Sequence, residues 1–363
     1  MNRLESAYKA GQSIWYDHIS ASLLNSGRLA ELTAQGIRGV TSNPSIFRDA
    51  IVGSSDYDER IADLARQKLG DQEILEALEV EDVTAACDVL LPVWKASGGT
   101  DGFVSLEVSP NLAYSVDETV RQATDLWRRI GRPNGMIKAP ATPAGCEAVQ
   151  TLTAEGINVN VTLIFSPRQY RAVAESFLRG LEARLKAEKP LAGVASVASV
   201  FVSRLDTAAA KPMADAGLES EPGQVGVDNA RLVYQDFIRI FSGARWNRLA
   251  QSGASVQRPL WASTSVKRCD WPDCLYVDSL IGPHTVNTVP PKTLDAFLDH
   301  GAVRDSVTSD VPLARSRMAQ LAACGIDVER LAEDLLAKGV EQFVTAADQL
   351  LLGVKQKRAA LGF

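Results

Sequence analysis

The chain has 363 residues, of which 46% are hydrophobic and 23% charged, and its formal net charge is −6. This composition is typical of a globular protein, and the negative charge argues against a nucleic-acid-binding surface. No apolar run approaches the roughly 20 residues that a membrane span needs, so no membrane partner is expected either. The length permits two domains or one large α/β barrel.

Short β-rich segments alternate with longer amphipathic segments along most of the chain. We predict strands at residues 13–17, 39–41, 102–108, 135–138, 158–164, 195–202, 258–262 and 275–278. Apolar residues at helical spacing predict helices at residues 56–69, 115–130, 168–188 and 229–251. Eight strands that alternate with helices favour parallel βαβ units, which can close into a (β/α)8 TIM barrel.

The segment after residue 327 contains no strand pattern. Helical patterns at residues 328–338 and 340–361 predict additional C-terminal helices that pack outside the barrel and reach toward its mouth. The stretch at residues 220–228 contains glycine and proline and is expected to be an exposed insertion. We therefore expect residues 1–363 to form a single barrel domain with a helical extension from about residue 327 to residue 363.

The cysteines and histidines predict neither disulfides nor a metal site. Five cysteines are odd in number and scattered, which favours a cytoplasmic location over a disulfide framework. Cys269 and Cys274 have no second cysteine or histidine pair nearby, and the three histidines lack metal-ligand spacing. The chain also has no Walker loop and no dinucleotide glycine fingerprint, so no cofactor is predicted.

Polar residues occur at the end of nearly every predicted strand. They are Asp17, Asn43, Glu107, Lys138, Asn160, Thr162, Ser199 and Ser263, with Arg204 and Lys267 just beyond strands six and seven. The C-terminal strand ends of a parallel barrel face one mouth, so we expect these side chains to converge. A polar network that only sets the barrel register is the alternative for any single residue, but it is a poor explanation for seven strands together.

Lys138 is the most informative of these residues, because a short apolar strand runs directly into it. A buried ammonium is costly unless it is paired or loses its proton. A neutral amine on rigid backbone can form a Schiff base with a carbonyl, and Glu107 and Asp17 could carry the protons. Arg204, Ser263 and Lys267 offer two cations and a hydroxyl for a phosphate. The alternative is a lysine that extends from the strand end to solvent.

Several segments resemble the transaldolase family, and the resemblance is closest to its longer bacterial type. It extends from residues 11–17 (GQSIWYD) to residues 278–288 (DSLIGPHTVNT). The segments that carry it between these ends are 39–47 (GVTSNPSIF), 104–110 (VSLEVSP), 136–145 (MIKAPATPAG), 156–166 (GINVNVTLIFS) and 260–264 (LWAST). The combination is specific, although each segment alone would be a weak signal.

The resemblance implies a (β/α)8 barrel and a reaction that moves a dihydroxyacetone unit. The donor would be sedoheptulose 7-phosphate and the acceptor glyceraldehyde 3-phosphate, giving erythrose 4-phosphate and fructose 6-phosphate. Lys138 matches the Schiff-base lysine, and Glu107 matches an acid/base that works through a water held by Thr162. Asp17 matches the acid/base at the hydroxyl next to the cleaved bond.

The resemblance also implies which residues bind the substrate. Asn43, Asn160 and Ser199 match the groups that hold the dihydroxyacetone hydroxyls. Arg204 and Ser263 match phosphate contacts. The expected partners are thus small-molecule sugar phosphates, and whether the protein is a monomer or a dimer stays open.

Three positions depart from the family pattern. The second phosphate cation is Lys267, its alignment is uncertain by a residue, and residues 268–270 (RCD) replace the Asn-Pro expected next. Ala139 stands where valine is common. The first two departures put the fine phosphate preference in doubt, whereas none of the three removes a chemical group.

Two other functions compete with transfer of the dihydroxyacetone unit. A fructose 6-phosphate aldolase would release dihydroxyacetone to water, but Phe201 brings no hydroxyl to the catalytic water, which favours retention of the enamine until an aldose arrives. A catalytically silent sugar-phosphate-binding barrel would be supported by loss of Lys138, Glu107 or Asp17, and all three are present.

Overall fold

The computed structural model describes residues 2–219 and 221–363. Within them, eight parallel strands close a barrel in which each strand pairs with the next and β8 returns to β1. The (β/α)8 TIM barrel predicted from the sequence is confirmed. The strands are β1 (Gln12–Tyr16), β2 (Gly39–Val40), β3 (Phe103–Glu107), β4 (Gly135–Pro140), β5 (Val159–Ile164), β6 (Ser196–Phe201), β7 (Gln257–Ala262) and β8 (Thr285–Val289).

Helices surround the barrel and continue beyond it, and a short 3₁₀ helix at Pro110–Leu112 follows β3. The α-helices of the described residues are α1 (Arg3–Lys9), α2 (Ala21–Asn25), α3 (Arg28–Gln35), α4 (Pro44–Val52), α5 (Asp58–Arg66), α6 (Asp71–Ala96), α7 (Val116–Ile130), α8 (Pro143–Glu155), α9 (Pro167–Lys186), α10 (Ser203–Asp215), α11 (Gln224–Ile240), α12 (Ala244–Gln251), α13 (Leu275–Asp278), α14 (Pro291–His300), α15 (Val311–Ala323) and α16 (Val328–Ala360).

The strand register brings polar residues of neighbouring strands to one level. On β4, Ile137 and Ala139 pack in the outer hydrophobic layer, whereas Met136 packs inside the barrel. Lys138 has the inward parity of Met136, and it lies opposite Glu107 on β3 and Asn160 on β5. Because strand side chains alternate with a period of two, these polar groups meet inside the barrel.

Apolar side chains fill the barrel interior below this polar level. Trp15, Phe103, Met136 and Val286 belong to one buried cluster. Gly39 on β2 faces Trp15 so closely that an added Cβ would overlap the indole ring. The largest interior side chain therefore fits because its neighbour on β2 has none.

The N-terminal end of the barrel has its own hydrogen-bonded network around Asp101. The Asp101 carboxylate accepts hydrogen bonds from the Ser13 hydroxyl, from Trp15 Nε1 at 2.9 Å and from Arg38 Nε at 2.8 Å. Arg258 Nη2 donates to it at 3.3 Å. Polar residues at this end of a TIM barrel serve stability, and here they pair with one another.

The long helix α16 packs on the outside of the barrel and against α4. Its close approach depends on two glycines: a Cβ on Gly353 would overlap the Val52 side chain, and one on Gly339 would lie 2.9 Å from Leu163 Cδ2. Leu163 has left-handed backbone (φ 62°) where the register of β5 shifts, and its side chain packs with Val340. The expected C-terminal helices are thus one continuous helix of 33 residues.

One predicted strand is wrong. Residues 275–278 form the short helix α13, and the eighth strand is Thr285–Val289. Tyr276 and Val277 are buried, and burial alone makes a short apolar run look like a strand. Strand β8 was missed although four of its five residues are β-branched, and the barrel closes because it pairs with β1 from Gln12↔Thr285 to Tyr16↔Val289.

Two further predictions, one helix and one insertion, also need correction. The pattern at residues 229–251 is two helices, α11 and α12, separated at Ser242 and Gly243. The supposed insertion at 220–228 is largely wrong, because α11 begins at Gln224 and its first residues, including Val225 and Asp228, are buried. Ser220 itself lies outside the described residues.

We predict that Gly39→Ala destabilises the barrel by about 1–3 kcal/mol, the usual cost of overpacking a core. The new methyl group must displace Trp15, which is fully buried. The measurement is the free energy of unfolding in urea. Gly243→Ala is the control, because no atom lies closer than 4.0 Å to its added Cβ. Equal changes in both variants would contradict the steric argument.

Candidate active site

Lys138 lies near the C-terminal end of β4 and is 5% exposed. Its Nζ donates hydrogen bonds to the Ser42 carbonyl oxygen at 3.1 Å and to Glu107 Oε2 at 3.2 Å. The ring centre of Phe343 on α16 lies 5.5 Å from the same nitrogen. The buried amine is therefore surrounded by partners from three different elements of the fold.

Glu107 is the nearest proton acceptor for this amine. Burial raises the pKa of the Glu107 carboxyl above its usual range, although Lys138 opposes the shift and Asp17 adds to it. A carboxylate with increased proton affinity, at 3.2 Å from an ammonium, can take the proton of the amine and return it later.

Asp17 is held at the other side of the same space, directly after β1. Thr41 Oγ1 donates to Asp17 Oδ1 at 2.6 Å and also contacts Thr288 Oγ1 on β8 at 2.5 Å. Burial raises the pKa of Asp17 above its ordinary value, while the Thr41 hydrogen bond and the charge of Lys138 lower it. This site therefore contains two carboxyl groups that bind protons more readily than usual.

A cavity of about 280 Å³ opens at this end of the barrel. Nine of the predicted site residues line it: Asp17, Asn43, Lys138, Thr162, Ser199, Phe201, Arg204, Ser263 and Lys267. Glu107 and Asn160 do not line this cavity and instead bond to Lys138 and Ser199. The structure thus brings the polar strand ends together, as the barrel topology predicts.

A chain of buried hydrogen bonds supports one side of the cavity. Ser199 Oγ donates to Asn160 Oδ1 at 2.6 Å, and Asn160 Nδ2 donates to Ser105 Oγ at 3.1 Å. Asn160 is fully buried, so it orients Ser199 from behind. Asn43 caps helix α4 by accepting from the Ile46 amide at 3.0 Å, and its own amide group makes no hydrogen bond to another described residue.

Thr162 contributes a hydroxyl with no partner. Its Oγ1 is buried and makes no hydrogen bond to any other described residue, although the residue lines the cavity. A buried polar atom without a partner is costly, and Thr162 is the one among the described residues with such an atom that also lines this cavity. The Thr162 hydroxyl is therefore available to a molecule in the cavity.

Arg204 provides a cation at the side of the cavity formed after β6. Its guanidinium lies over the Phe201 ring, 5.1 Å from the ring centre, and Nη1 donates to Gln342 Oε1 at 2.9 Å. Burial lowers the pKa of Arg204, but an arginine remains protonated at physiological pH. The side chain makes no other hydrogen bond within the described residues, so its remaining N–H groups are available to an anion.

Ser263 and Lys267 follow the neighbouring strand β7. Ser263 has left-handed backbone (φ 54°), a conformation that costs free energy in a residue with a side chain and is often found at functional sites. Its hydroxyl lies 2.9 Å from Ser203 Oγ. Lys267 is exposed and donates to Ser265 Oγ at 2.7 Å. The two cations therefore follow adjacent strands and line one cavity.

Sequence reasoning missed several contributors to this site. The Ser42 carbonyl and the Thr41 hydroxyl lie in a loop that the sequence marked only through Asn43. Gln342 and Phe343 come from α16, and helical periodicity does not reveal which strand end a distant helix covers. Only Thr41 had a local signal, because it precedes Asn43 at a strand end.

Away from the cavity, the structure forms a polar cluster that the sequence did not predict. Ligand atoms of Asp273, Cys274 and His300 lie within 4.8 Å of one another. The histidine Nε2 is already 2.8 Å from Asp273 Oδ1, and its Nδ1 is 3.0 Å from Asp299 Oδ2, so the imidazole is paired with carboxylates.

Among the described helices, none is long and apolar enough to cross a membrane.

The chain belongs to the transaldolase/fructose-6-phosphate aldolase family. The family model matches residues 14–353, which include the barrel and most of α16. This match covers every residue described in the cavity.

Curated proteins named transaldolase are similar over nearly the whole chain. The protein of Mycobacterium ulcerans (strain Agy99) is 46% identical over 358 residues, covering 97% of this chain and 96% of its own. That of Neisseria gonorrhoeae is 46% identical over 352 residues, with coverage of 97% and 99%. That of Thermobifida fusca is 45% identical over 362 residues, with coverage of 98% for both chains.

We predict that Asp17→Asn stabilises the folded protein at about pH 8. A raised carboxyl pKa means that the folded protein binds more protons than the unfolded chain above the ordinary aspartate pKa of about 3.9. The free energy of unfolding therefore falls as the pH rises from the ordinary to the raised pKa and Asp17 ionises. An asparagine at this position carries no charge, so the variant avoids this loss. The measurement is the urea midpoint of both proteins between about pH 4 and pH 8, and the advantage of the variant should shrink at acid pH.

Asp88→Asn is the control with the opposite sign. The Arg132 guanidinium lowers the pKa of Asp88, so its carboxylate stabilises the folded state at neutral pH and loses this effect in acid. This variant should be slightly less stable than the original protein at about pH 8. A destabilised Asp17→Asn protein at that pH would contradict the assignment of Asp17 as a costly buried carboxylate.

Proposed function

We propose that this protein is a transaldolase that transfers a dihydroxyacetone unit from sedoheptulose 7-phosphate to glyceraldehyde 3-phosphate. The products are erythrose 4-phosphate and fructose 6-phosphate. The observation that carries the proposal is the buried Lys138 amine, 3.2 Å from the Glu107 carboxylate at the mouth of the barrel. Family membership supports the same activity. The scattered free cysteines favour a cytoplasmic location for it.

The first step is formation of the Schiff base. Glu107 takes a proton from Lys138, and the neutral amine attacks the ketone carbon of the donor sugar. The resulting carbinolamine loses its hydroxyl as water after protonation, with Glu107 as the proton donor. A water that bonds the unpartnered Thr162 hydroxyl can carry this proton, which gives that buried oxygen its missing partner.

The second step is cleavage of the bond between C3 and C4 of the donor. Asp17 accepts the proton of the C4 hydroxyl, the C4 oxygen becomes an aldehyde, and the electron pair of the broken bond moves into the iminium to form an enamine. The raised pKa of Asp17 suits a group that must accept a proton and return it. Erythrose 4-phosphate leaves, and three carbons stay on Lys138.

The third step reverses the second with another aldehyde. The enamine carbon attacks the aldehyde carbon of glyceraldehyde 3-phosphate, and Asp17 returns its proton to the new hydroxyl. Water then hydrolyses the iminium, which releases fructose 6-phosphate and restores the Lys138 amine. Asp17 and Glu107 thus each end the cycle in their starting protonation state.

The remaining polar groups of the cavity would bind the sugar phosphate. The free amide of Asn43 and the Ser199 hydroxyl, which Asn160 orients, suit the hydroxyls of the dihydroxyacetone unit. Arg204, Ser263 and Lys267 suit the phosphate, because they combine two cations and a hydroxyl just after two adjacent strands.

Release of free dihydroxyacetone, the aldolase reaction, is the second candidate function, and the family description includes it. Phe201 lines the cavity and packs against Phe165 with ring centres 5.3 Å apart. Neither ring has a hydroxyl that could protonate the enamine. This favours transfer over release.

We expect fructose 6-phosphate to be consumed rapidly when erythrose 4-phosphate is present and only slowly when it is alone. The acceptor is needed because Phe201 offers no hydroxyl that could protonate the enamine carbon, and the Asp17 proton goes to the hydroxyl of the new product. A coupled assay of glyceraldehyde 3-phosphate formation measures the first rate, and assay of dihydroxyacetone measures the second. Equal rates would identify an aldolase.

Lys138→Arg is the control for this assay. It should abolish both rates and the borohydride-trapped adduct, since arginine cannot form the imine under these conditions. An adduct found on Lys95 or Lys211 in place of Lys138 would overturn the assignment of the nucleophile.

Arg204→Ala should raise the KM for fructose 6-phosphate by roughly ten-fold or more, because an arginine makes charge-assisted hydrogen bonds to phosphate. The turnover of unphosphorylated fructose should hardly change. Lys267→Ala should have the same effect more weakly, since lysine acts as a point charge. Steady-state kinetics with both sugars makes the comparison, and equal losses with both would mean that these residues support the fold.

A further inference from the structure

Two consecutive residues of α16 contact the two ends of the cavity. Gln342 bonds the Arg204 guanidinium, and Phe343 covers the Lys138 amine. Neighbouring helix positions point about 100° apart, which is why Gln342 is exposed at the rim while Phe343 is buried and lines the cavity. One turn of this helix therefore reaches both the amine and the guanidinium.

The contact between Gln342 and Arg204 holds the cation without neutralising it. Gln342 Oε1 accepts from Arg204 Nη1 at 2.9 Å, and this is the only hydrogen bond of the guanidinium among the described residues. A neutral amide fixes the orientation of the planar fork and leaves its full positive charge for an anion. A carboxylate in the same place would compete with that anion.

Phe343 separates the amine from solvent on the side of the cavity that faces α16. It is 7% exposed, packs in the inner cluster with Leu163 and Phe201, and presents its ring to Lys138 Nζ at 5.5 Å. The ring face attracts a cation, whether ammonium or iminium, and a bulky apolar group excludes water from it. Water exclusion favours retention of the neutral enamine on Lys138, because release needs a proton on the enamine carbon and then attack of water on the iminium.

Helix α16 is also attached to the rest of the protein by contacts other than these two. Near its C-terminus, Lys357 bonds the Ser54 carbonyl and Asp58, each at 2.5 Å. Near its N-terminus, Arg168 pairs with Glu333 at 2.6 Å. The helix is thus attached on both sides of Gln342, so substitution of that one exposed residue should leave the helix in place.

We propose that Gln342 is a positioning residue for phosphate recognition and that Phe343 is a positioning residue that protects the covalent intermediate on Lys138 from water. The proposal rests on the proposed transaldolase function and deepens it. The specificity of the site for phosphorylated sugars, and for transfer over hydrolysis, would then be set partly by α16, outside the eight strand ends.

The first test uses two substitutions of Gln342 and, as a control, one substitution of Gln349, which is also exposed on α16. Gln342→Ala should raise the KM for fructose 6-phosphate ~3- to 10-fold with little change in kcat, because the guanidinium loses its fixed orientation. Gln342→Glu should raise it further, because the carboxylate pairs with Arg204. Neither substitution should affect unphosphorylated fructose.

The matched control is Gln349→Ala. Gln349 Oε1 accepts from Arg48 Nη1 at 2.8 Å, so it makes the same kind of bond from the same helix to an arginine that does not line the cavity. This variant should have an unchanged KM. Equal effects of Gln342→Ala and Gln349→Ala, or equal effects on both sugars, would overturn the role of Gln342.

The second test concerns Phe343. Phe343→Leu keeps an apolar side chain but removes the ring, and Phe343→Ala opens the site to water. Release of dihydroxyacetone from fructose 6-phosphate alone, relative to transfer, should rise in both variants and by ~10-fold or more in the alanine variant. An unchanged ratio in the correctly folded leucine variant would overturn this role.

Failure of the proposed function would be separable from failure of this inference. If the original protein showed no transfer activity, the transaldolase proposal would fall. Binding of inorganic phosphate, measured by calorimetry, would then still test Gln342. Weaker binding by Gln342→Glu but not by Gln349→Ala would support the positioning role, and equal binding by all three proteins would overturn it.

Discussion

The contact between Lys138 and Glu107 is the interaction on which the rest of the site depends. Removing an ammonium and a carboxylate from water costs desolvation free energy, and the attraction between the two charges often does not offset it. The pair exists here because β3 and β4 are in a register that places the two residues opposite each other. The Ser42 carbonyl and the Phe343 ring then give the amine further partners.

The polar groups at the two ends of the barrel differ in their surroundings. At the N-terminal end, Asp101 accepts from several donors and the interior is filled by Trp15 and its neighbours. At the C-terminal end, Asp17 has a raised pKa and the unpartnered Thr162 hydroxyl lines a cavity. The first arrangement stabilises the closed barrel, and the second leaves polar groups for a substrate at some cost in stability.

The charge of the protein makes local cations important. With a net charge of −6, the chain repels an anionic substrate at long range, and recognition must come from groups inside the cavity. Under the proposed function, these charges come from Arg204 and Lys267, which follow the adjacent strands β6 and β7. Arg204 donates to the neutral amide of Gln342, and this bond does not neutralise its positive charge.

The sequence by itself determined the barrel, seven of its strands and the residues of the strand ends that meet in the cavity. These strands and strand-end residues could be predicted from local sequence patterns. Each pattern is a short apolar run, a polar residue at its end and an amphipathic segment after it. Lys138, Glu107 and Asp17 could be predicted as site residues, because the C-terminal ends of parallel barrel strands converge independently of the loop conformations.

Only the tertiary structure decided which strand closes the barrel, what occupies the floor of the site and what covers it. Buried residues 275–278 looked like a strand, and pairing with β1 shows that residues 285–289 have that role. Asn160 was expected to touch the substrate, and only the structure shows that it also bonds Ser199 and Ser105. Phe343 and Gln342 reach the site from a distant helix, because packing between elements depends on shape and distance that local periodicity does not encode.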